Sequence, residues 1–298
     1  MSSTANILSG RQVSKDIQNE LQEEVKLLKE KHSDFDPVLA IVQVGAREDS
    51  NVYIRMKKKV ASEVGVSTRH LQLPRTSTES EILSEVQKLN EDSKVHGIIV
   101  QLPLDTDTPV DAKLITNAVS PSKDVDGICD ANAGRLSHGE LEGYFIACTP
   151  MGCMELIKRT GVTIKGSKAV VIGRSKIVGL PMSLLLLWHH ATVVICHSRT
   201  KDLRAEVKDA DIIVAAVGQP QMVKKDWVKP GAVVIDCGIN SIKDETRASG
   251  SRLVGDVDYE GVKEVASWIT PVPGGVGPMT VIMLIKNTLD AAKMALKA

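Results

Sequence analysis

Six short apolar runs, separated by stretches with helical periodicity, constrain the fold of this chain more than any other feature. Each run has four to seven residues, is rich in Val and Ile and contains few polar residues, which is typical of strands buried on both faces. Because such strands alternate with helices, they predict a mostly parallel sheet with helices on its faces. The runs are VLAIVQV (38–44), GIIVQL (97–102), AVVI (169–172), TVVI (192–195), IIVAAV (212–217) and AVVID (232–236).

The segments between these runs predict helices. Thr78-Glu79-Ser80-Glu81 is a capping box that opens one of them. Thr149-Pro150 places a capping residue before a proline, which predicts a helix start there and a domain boundary near Cys148–Pro150. The other predicted helices span 11–31, 49–64, 182–188 and 279–296, and residues 69–73 predict a further strand.

The charge balance and the cysteines argue against several classes of protein. Lys plus Arg total 37 and Asp plus Glu total 37, so the formal net charge is zero, which argues against nucleic acid or an anionic membrane as the main partner. Five cysteines form no C-x-x-C pair, so we expect neither a disulfide framework nor a metal site. The polar N-terminus and the lack of a long apolar stretch predict a cytoplasmic protein that does not span a membrane.

A glycine turn follows the AVVI strand, as it does in dinucleotide-binding folds. Gly173-Arg174-Ser175 and, further on, Gly179 stand between this strand and an apolar helix. Gly173 allows a tight turn, and the N–H groups at the start of the helix would face a pyrophosphate. Because Ser175 stands where the usual motif has its middle glycine, the same residues are also compatible with a plain strand-to-helix turn.

The end of the next strand bears on the choice between NAD and NADP. NAD sites usually carry Asp or Glu there, and that carboxylate binds the ribose hydroxyls. Here the strand ends in Cys196-His197-Ser198-Arg199-Thr200, which contains no carboxylate. Ser198, Arg199 and Arg174 suit a 2′-phosphate, so the sequence favours NADP, with an ordinary polar loop as the alternative.

Tyr53 and Lys57 are four residues apart on one predicted helix, so their side chains share a face. That face adjoins an apolar stripe, Val52–Met56–Val60, which we expect to be buried. Lys57 would then lie partly desolvated at a cleft edge, beside Lys58 and Lys59. Desolvation and like charge both lower the pKa of a lysine and suit it to acid/base work. From spacing alone, such a lysine run is more often a solvated face.

Three loop segments complete the set of candidate site residues. Gln101 stands at the end of the GIIVQL run, where ligands of open α/β sheets gather. Asp124-Val125-Asp126-Gly127 forms an aspartate loop, which alone is more typical of a turn. The segment 271–278 (PVPGGVGP) is either a rigid connection into the last helix or a place where backbone approaches a flat ligand closely.

Taken together, these motifs closely resemble the bifunctional methylenetetrahydrofolate dehydrogenase/methenyltetrahydrofolate cyclohydrolase family, from near Ile7 to the C-terminal helix. The resemblance is strongest to the eukaryotic cytosolic branch, in which a formyltetrahydrofolate synthetase part follows. The motifs that carry it are Tyr53-x-x-x-Lys57, Val100-Gln101-Leu102-Pro103-Leu104, Lys123-Asp124-Val125-Asp126-Gly127, Thr149-Pro150, Gly173-Arg174-Ser175 through Val178-Gly179-x-Pro181, and Pro271-Val272-Pro273-Gly274-Gly275-Val276-Gly277-Pro278-Met279-Thr280.

The resemblance implies a fold and an assembly. It implies an N-terminal α/β folate domain over residues 1–149, to which a helix over 279–298 returns. A Rossmann-like, doubly wound NADP domain would span 150–278, with the active site in the cleft between the two domains. It also implies a homodimer and a role in one-carbon metabolism and purine biosynthesis.

The same resemblance assigns roles to individual residues. Tyr53 would stack on the pterin, Asp126 would bind its amino-pyrimidine edge, and Lys57 would transfer protons under the influence of Gln101. Cys148 would line the nicotinamide end of the cofactor site, although a buried structural thiol is an equally good interpretation. Further substrate contacts are expected at Leu102, Pro273, Gly274 and Gly277, and cofactor contacts at Gly173, Arg174, Ser175, Ile177, Val178, His197, Ser198, Arg199, Gly218, Ile239 and Thr280.

The implied chemistry is oxidation of 5,10-methylenetetrahydrofolate with NADP, followed by hydrolysis of the methenyl product to 10-formyltetrahydrofolate. Two other classes of function stay open at this point. A monofunctional NAD-linked dehydrogenase of the same fold would lack Lys57 or the groups for the 2′-phosphate. A nucleotide-sensing module without catalysis would have no reason to keep Tyr53, Lys57, Gln101 and Asp126 together.

Overall fold

The computed structural model describes residues 4–247 and 250–297, which form two compact units. The N-terminal unit comprises Lys15–Cys148 and residues 281–297, and the Rossmann-like unit comprises residues 4–14 and Thr149–Thr280. The strands are β1 (Asn6–Ile7), β2 (Val38–Val44), β3 (Ser67–Leu73), β4 (Gly97–Val100), β5 (Lys168–Ile172), β6 (Thr192–Cys196), β7 (Ile212–Ala215), β8 (Val233–Asp236), β9 (Asn240–Lys243), β10 (Ser251–Val254) and β11 (Trp268–Ile269).

The helices occupy the predicted segments and several others. They are α1 (Gly10–Lys31), α2 (Glu48–Val64), α3 (Glu79–Glu91), α4 (Ala112–Asn117), α5 (Asp130–Ser137), α6 (Cys148–Arg159), α7 (Gly179–Trp188), α8 (Leu203–Val207), α9 (Tyr259–Val262) and α10 (Val276–Ala295), with a 3₁₀ turn at Lys225–Trp227. Among the described residues, no helix has the length and apolar character needed to cross a bilayer.

The N-terminal unit is built on a parallel sheet in the order β3-β2-β4. The central strand β2 is buried along its whole length, as its apolar run predicts, because it has a neighbour on each side. The predicted capping box is present at α3, where the Glu81 N–H donates to Thr78 Oγ1 and the Thr78 N–H donates to the Glu81 carboxylate. The residues after β4 and the helix α2 therefore belong to the same unit, around this sheet.

The Rossmann-like unit contains a six-stranded parallel sheet in the order β1-β11-β8-β7-β5-β6. From β5 the chain passes through α7 to β6 on one side, and then through α8 to β7 on the other side of β5. The direction of winding therefore reverses between β5 and β7, and ligands of open α/β sheets bind at the carboxyl ends of strands at such a point. A separate antiparallel hairpin joins β9 and β10.

The N-terminal segment lies in a different unit from the one that the sequence indicated. Residues 1–14 were assigned to the folate domain, but the described part, 4–14, belongs to the Rossmann-like unit. The reason is that β1 adds to the edge of the large sheet, parallel to β11, where Leu8 N–H donates to Ile269 O at 2.8 Å. A two-residue strand has too little periodicity to show this pairing in the sequence.

Candidate active site

Lys57 and Gln101 are joined by a direct hydrogen bond in the N-terminal unit. Lys57 Nζ donates to Gln101 Oε1 at 2.9 Å. The orientation of the amide is fixed, because Gln101 Nε2 donates to the Leu102 carbonyl at 2.9 Å and the Gln101 backbone N–H donates to Val42 O at 2.8 Å. The strand β4 ends at Val100, two residues before the end of the predicted run. Gln101 therefore stands at the carboxyl end of the sheet with its oxygen directed at the lysine.

The three consecutive lysines differ in their surroundings. Lys58 and Lys59 are exposed, as expected for a solvated face, whereas Lys57 is half-buried. Desolvation lowers the pKa of Lys57 below its usual value, and the nearby Asp126 carboxylate partly opposes this effect. Lys57 is thus the one member of this run with the environment of an acid/base group.

The buried face of α2 is not the one that the sequence indicated. Val52 and Met56 are each 42% exposed. The residues that α2 buries are Ser50, Ile54, Ala61 and Val64. Two of these are small and two are apolar, so the buried face of α2 does not include the Val52 and Met56 side chains. The expectation of a buried Val52–Met56–Val60 stripe was wrong, and apolar surface remains free beside Lys57.

Tyr53 and Leu102 also present exposed surface in this unit. The Tyr53 side chain is 41% exposed and lies one helical turn before Lys57 on α2. Leu102, next to Gln101, is 37% exposed. An exposed aromatic ring on the same helix face as the half-buried lysine is suited to stacking on a flat ligand.

Asp124 fixes one side of the loop that carries Asp126. Asp124 is buried, and its carboxylate accepts hydrogen bonds from Gly127 N at 3.1 Å, Cys129 N at 2.9 Å and Asn132 Nδ2 at 3.0 Å. Gly127 has a φ of +69°, and a Cβ there would lie 2.3 Å from the Ile146 carbonyl carbon. The aspartate loop is thus a turn that is held by the Asp124 carboxylate. The Asp126 carboxylate takes no part in holding this turn.

Asn287 and Cys148 fix the other side of Asp126. The Val125 carbonyl accepts Asn287 Nδ2 at 2.8 Å and the Cys148 Sγ thiol at 3.3 Å. Sequence reasoning missed Asn287, a buried residue of α10. Asp126 is therefore held through both neighbouring peptide groups.

The charges around Asp126 are mutually coupled. Desolvation raises the pKa of Asp126, and the positive charge of Lys57 opposes that rise. Desolvation likewise raises the pKa of the Cys148 thiol well above its usual value, with Asp126 adding to the effect. A thiol with a raised pKa is a poor nucleophile. Cys148 is therefore a buried neutral thiol beside Lys57 and Asp126, and these three predicted site residues lie close together with Gln101.

The predicted dinucleotide turn of the Rossmann-like unit has the geometry that its glycines indicate. Gly173 has a φ of +123°, and a Cβ there would lie 2.2 Å from the Ala216 carbonyl oxygen. A Cβ on Gly179 would lie 2.3 Å from the Gly173 carbonyl oxygen. Both positions therefore require glycine, because the turn packs closely against the loop after β7 and against the start of α7.

Ser175 organises the entry into α7. Its Oγ accepts the N–H groups of Val178 and Gly179, each at 3.2 Å. Val178 is half-buried and Ile177 is 49% exposed. The middle position of the motif thus uses a hydroxyl to cap the turn where other folds have a glycine.

Arg174 in the glycine turn and Arg199 in the loop after β6 each offer a positive charge. Within the described ranges, Arg174 and Arg199 have no carboxylate at ion-pairing distance, and both are exposed together with Ser198. The loop after β6 is internally ordered, since His197 N–H donates to Thr200 Oγ1 at 2.9 Å and Arg199 N–H donates to His197 Nδ1 at 3.1 Å.

The remaining predicted contacts also lie in the Rossmann-like unit. Gly218 follows β7 with a φ of +68°, and exposed Ile239 follows β8. Thr280 Oγ1 hydrogen bonds to Thr149 Oγ1 at 2.9 Å. Pro273, Gly274 and Gly277, predicted to contact substrate, stand before or in the first turn of α10. Among the described residues, no group of three or more His, Cys, Asp or Glu side chains is arranged to hold a metal ion.

Two family models match almost the whole chain. The model described as the tetrahydrofolate dehydrogenase/cyclohydrolase catalytic domain matches residues 8–126, and the model described as the NAD(P)-binding domain of the same family matches residues 147–296. The chain belongs to this family. The half-buried lysine and its partners thus lie in or next to the catalytic match, and the glycine turn lies in the NAD(P)-binding match.

Relatives with established names support the same assignment. The chain is 57% identical to cytoplasmic C-1-tetrahydrofolate synthase of Rattus norvegicus over 98% of its own length, and it spans 31% of the rat protein. It is 50% identical to the bifunctional protein FolD 2 of Arabidopsis thaliana, covering 97% of this chain and 96% of the plant protein.

A solved structure of the family has the same fold. The methylenetetrahydrofolate dehydrogenase-cyclohydrolase (FolD) of Trypanosoma brucei, crystallised with NADP and an inhibitor, is 41% identical to this chain with a TM-score of 0.93. The match covers 99% of this chain and 100% of the trypanosomal one. The doubly wound α/β architecture predicted from the sequence is thus confirmed.

Proposed function

We propose that the chain oxidises 5,10-methylenetetrahydrofolate with NADP and hydrolyses the resulting methenyl compound to 10-formyltetrahydrofolate. The observation that carries the proposal is the half-buried Lys57, with its pKa lowered by desolvation, hydrogen-bonded at 2.9 Å to a fixed Gln101 and close to Asp126. The family and the names of its members supply the substrate class.

The hydrolytic step needs a group that moves a proton. Water adds to the methenyl carbon, which lies between two nitrogens, and must lose a proton as the new C–O bond forms. An uncharged Lys57 amine accepts that proton, and the ammonium returns it to the nitrogen that leaves as the ring opens. Gln101 holds the Nζ atom in place throughout, because its amide oxygen accepts from both the amine and the ammonium.

The oxidative step needs alignment of the substrate with the cofactor more than it needs acid/base catalysis. NADP supplies a nicotinamide that accepts the hydride lost by the one-carbon bridge. The residues present fit this cofactor: Gly173 and Gly179 form a close-packed turn at the start of α7, where helix N–H groups suit a pyrophosphate, and exposed Arg174 and Arg199 suit a 2′-phosphate. No side chain has to take a proton during hydride transfer, so the contribution of the chain is to bind and orient.

Binding of the folate ring system would use the exposed and the fixed residues together. Tyr53 offers an exposed ring for stacking on the pterin, and the apolar surface of Val52 and Met56 lies on the same helix. Asp126, held through its neighbours on both sides, offers a carboxylate to the amino-pyrimidine edge. Leu102, Pro273, Gly274 and Gly277 are proposed as further contacts.

The proposal extends to assembly and location. A homodimer, a cytoplasmic location and a role in purine biosynthesis are proposed from the family and from relatives named as cytoplasmic. A formyltetrahydrofolate synthetase part outside this chain is proposed because these relatives are about three times as long as the matched part.

The direct test is an assay that follows NADPH and the methenyl intermediate together. With methylenetetrahydrofolate and NADP, NADPH should accumulate while the methenyl compound rises only transiently. A preference for NAD, or a methenyl product that is stable to hydrolysis, would favour a monofunctional dehydrogenase. Binding of folate and NADP without turnover would favour a sensing module.

Asp126→Ala should weaken folate binding in both reactions by about one to two decades, because a charged hydrogen bond contributes roughly 1.5–3 kcal/mol. The measurement is the dissociation constant of a folate analogue, with and without NADP. Asp130→Ala is the matched control, since the Asp130 carboxylate is 65% exposed and pairs with Lys113. Unchanged affinity in Asp126→Ala would show that the loop is only a turn.

A further inference from the structure

Two buried carboxylates lie near the carboxyl ends of the strands of the large sheet. Asp236 is 3% exposed and Asp256 is fully buried. Within the described residues neither has a Lys or Arg partner. Burying a charge without a counter-ion is costly unless hydrogen bonds replace the lost water. Their hydrogen-bond partners therefore indicate what these carboxylates hold in place.

Asp256 binds the loops that follow two neighbouring strands. Its Oδ2 accepts Val217 N at 2.7 Å and Gly218 N at 3.0 Å, just after β7. Its Oδ1 accepts Asn240 Nδ2 at 2.9 Å, four residues after β8. One carboxylate thus ties together the loops that carry two expected cofactor contacts, Gly218 and Ile239.

Asp236 fixes the position of Asp256. Its Oδ1 accepts the N–H groups of Asp256 and Gly238, both at 2.9 Å, and its Oδ2 accepts Val257 N at 2.9 Å. The approach is so close that a Cβ on Gly255 would lie 1.8 Å from Asp236 Oδ2. A Cβ on Gly238 would lie 2.4 Å from Asp256 Oδ1. Asp236, the last residue of β8, thereby fixes the position of the Asp256 carboxylate.

We propose that Asp256, held by Asp236, is a positioning residue for the dinucleotide: it holds the loops after β7 and β8 in the shape that receives the cofactor. The inference rests on the proposed NADP-dependent function. Since Asp256 already accepts the Gly218 N–H, Gly218 meets the cofactor through its carbonyl or Cα and not through its amide. Gly218 and Ile239 then depend on a residue that does not itself touch the ligand.

The variant Asp256→Asn tests one specific contact. The single amide oxygen of Asn can still accept Val217 N and Gly218 N, but its NH₂ group then faces Asn240, and even if the Asn240 amide rotates to accept from it, a neutral hydrogen bond replaces the charge-assisted one. The loop after β8 is held less tightly, so the competent fraction of molecules falls and the apparent dissociation constant rises in inverse proportion to that fraction. We expect NADP binding, measured by calorimetry without folate, to weaken about 10-fold or more.

The double variant Asp256→Asn with Asn240→Asp restores the contact with the two groups exchanged. An amide at 256 then donates to a carboxylate at 240 and still accepts the two N–H groups after β7. NADP affinity should return to within a few-fold of the wild type. This pair of variants keeps the test decisive even if Asp256→Asn alone folds poorly.

A matched control and a second activity separate positioning from general damage. Asp258→Asn changes a carboxylate two residues away that contacts only Lys224, at 3.7 Å, among the ion pairs of the described residues, and should leave NADP affinity unchanged. Hydrolysis of added methenyltetrahydrofolate should persist in Asp256→Asn, because Lys57 belongs to the other unit.

Wild-type NADP affinity in Asp256→Asn, failure of the exchanged pair to recover binding, or an equal loss of hydrolytic activity would overturn the inference. Absence of NADP binding in the wild type would instead overturn the proposed function, and the inference with it.

Discussion

Replacing Lys57 by Met should lower the rate of methenyltetrahydrofolate hydrolysis about 10²–10⁴-fold, the usual contribution of a positioned acid/base group. Met keeps the length and the helical propensity of the side chain but cannot carry a proton. The measurement is the disappearance of added methenyltetrahydrofolate, corrected for its uncatalysed hydrolysis. NADP affinity should be unchanged, since the glycine turn lies in the other unit.

The neighbouring lysine provides the control for this prediction. Lys58→Met removes a charge at the next position, but Lys58 is exposed, whereas Lys57 bonds to Gln101. Lys58→Met should therefore hydrolyse the substrate at nearly the wild-type rate. Wild-type hydrolysis in Lys57→Met would mean that Lys57 does not transfer the proton, and equal losses in the two variants would mean that the lysine run acts only through its charge.

The pH dependence of hydrolysis follows from the same assignment. Desolvation lowers the pKa of Lys57, so hydrolysis should lose rate as the pH falls through that lowered pKa, where the amine becomes protonated and can no longer accept a proton. Gln101→Glu places a carboxylate at the atom that now lies 2.9 Å from Nζ. This should raise the pKa of Lys57 and move the acid limb of the profile to higher pH. A limb that does not move would place the titrating group elsewhere.

The parts of the fold that were predictable are those with local signals. The strand β2 is an apolar run buried on both faces, and the capping box of α3 is a four-residue pattern, so both could be read from the sequence. The two-residue strands β1 and β11 could not, because their pairing joins residues more than 260 positions apart and neither has a periodicity of its own.

Helix α2 shows why the site was only partly predictable. Helical spacing defined one apolar stripe, Val52–Met56–Val60, which was expected to be buried. The structure buries the face with Ser50 and Ala61 and leaves Val52, Tyr53 and Met56 exposed. A large apolar side chain left in solvent is a local inconsistency of the kind found at functional sites. These exposed side chains therefore mark the surface where we propose that a flat ring system binds beside Lys57.

Residues that hold the site through tertiary contacts had no signal in the sequence at all. Asn287 bonds to a carbonyl that is 162 positions earlier in the chain, and Asp256 bonds to amides 38 and 39 positions earlier. The motifs could identify the groups that we propose act on a ligand, such as Lys57 and Asp126. They could not identify the groups that position those motifs, because the contacts form only when distant segments fold together.

The double variant Arg174→Ala, Ser198→Asp should lower NADP affinity about 10²–10⁴-fold if the two lost charge-assisted contacts contribute roughly 1.5–3 kcal/mol each and add. The end of β6 has no carboxylate, and Arg174 has no ion-pair partner among the described residues, so both groups are available to a 2′-phosphate. An aspartate at 198 would repel that phosphate and instead accept the ribose hydroxyls of NAD.

The decisive quantity is the ratio of dehydrogenase efficiency with NADP to that with NAD, because a general loss of activity cancels in it. The double variant should reduce this ratio sharply, while hydrolysis of added methenyltetrahydrofolate survives. Arg204→Ala is the control, since the charge of Arg204 is already paired with Asp226 at 2.6 Å and its loss should not change the ratio. A wild type that prefers NAD, or a ratio that does not move, would show that the 2′-phosphate is bound elsewhere and that Arg174 is only a surface residue of the turn.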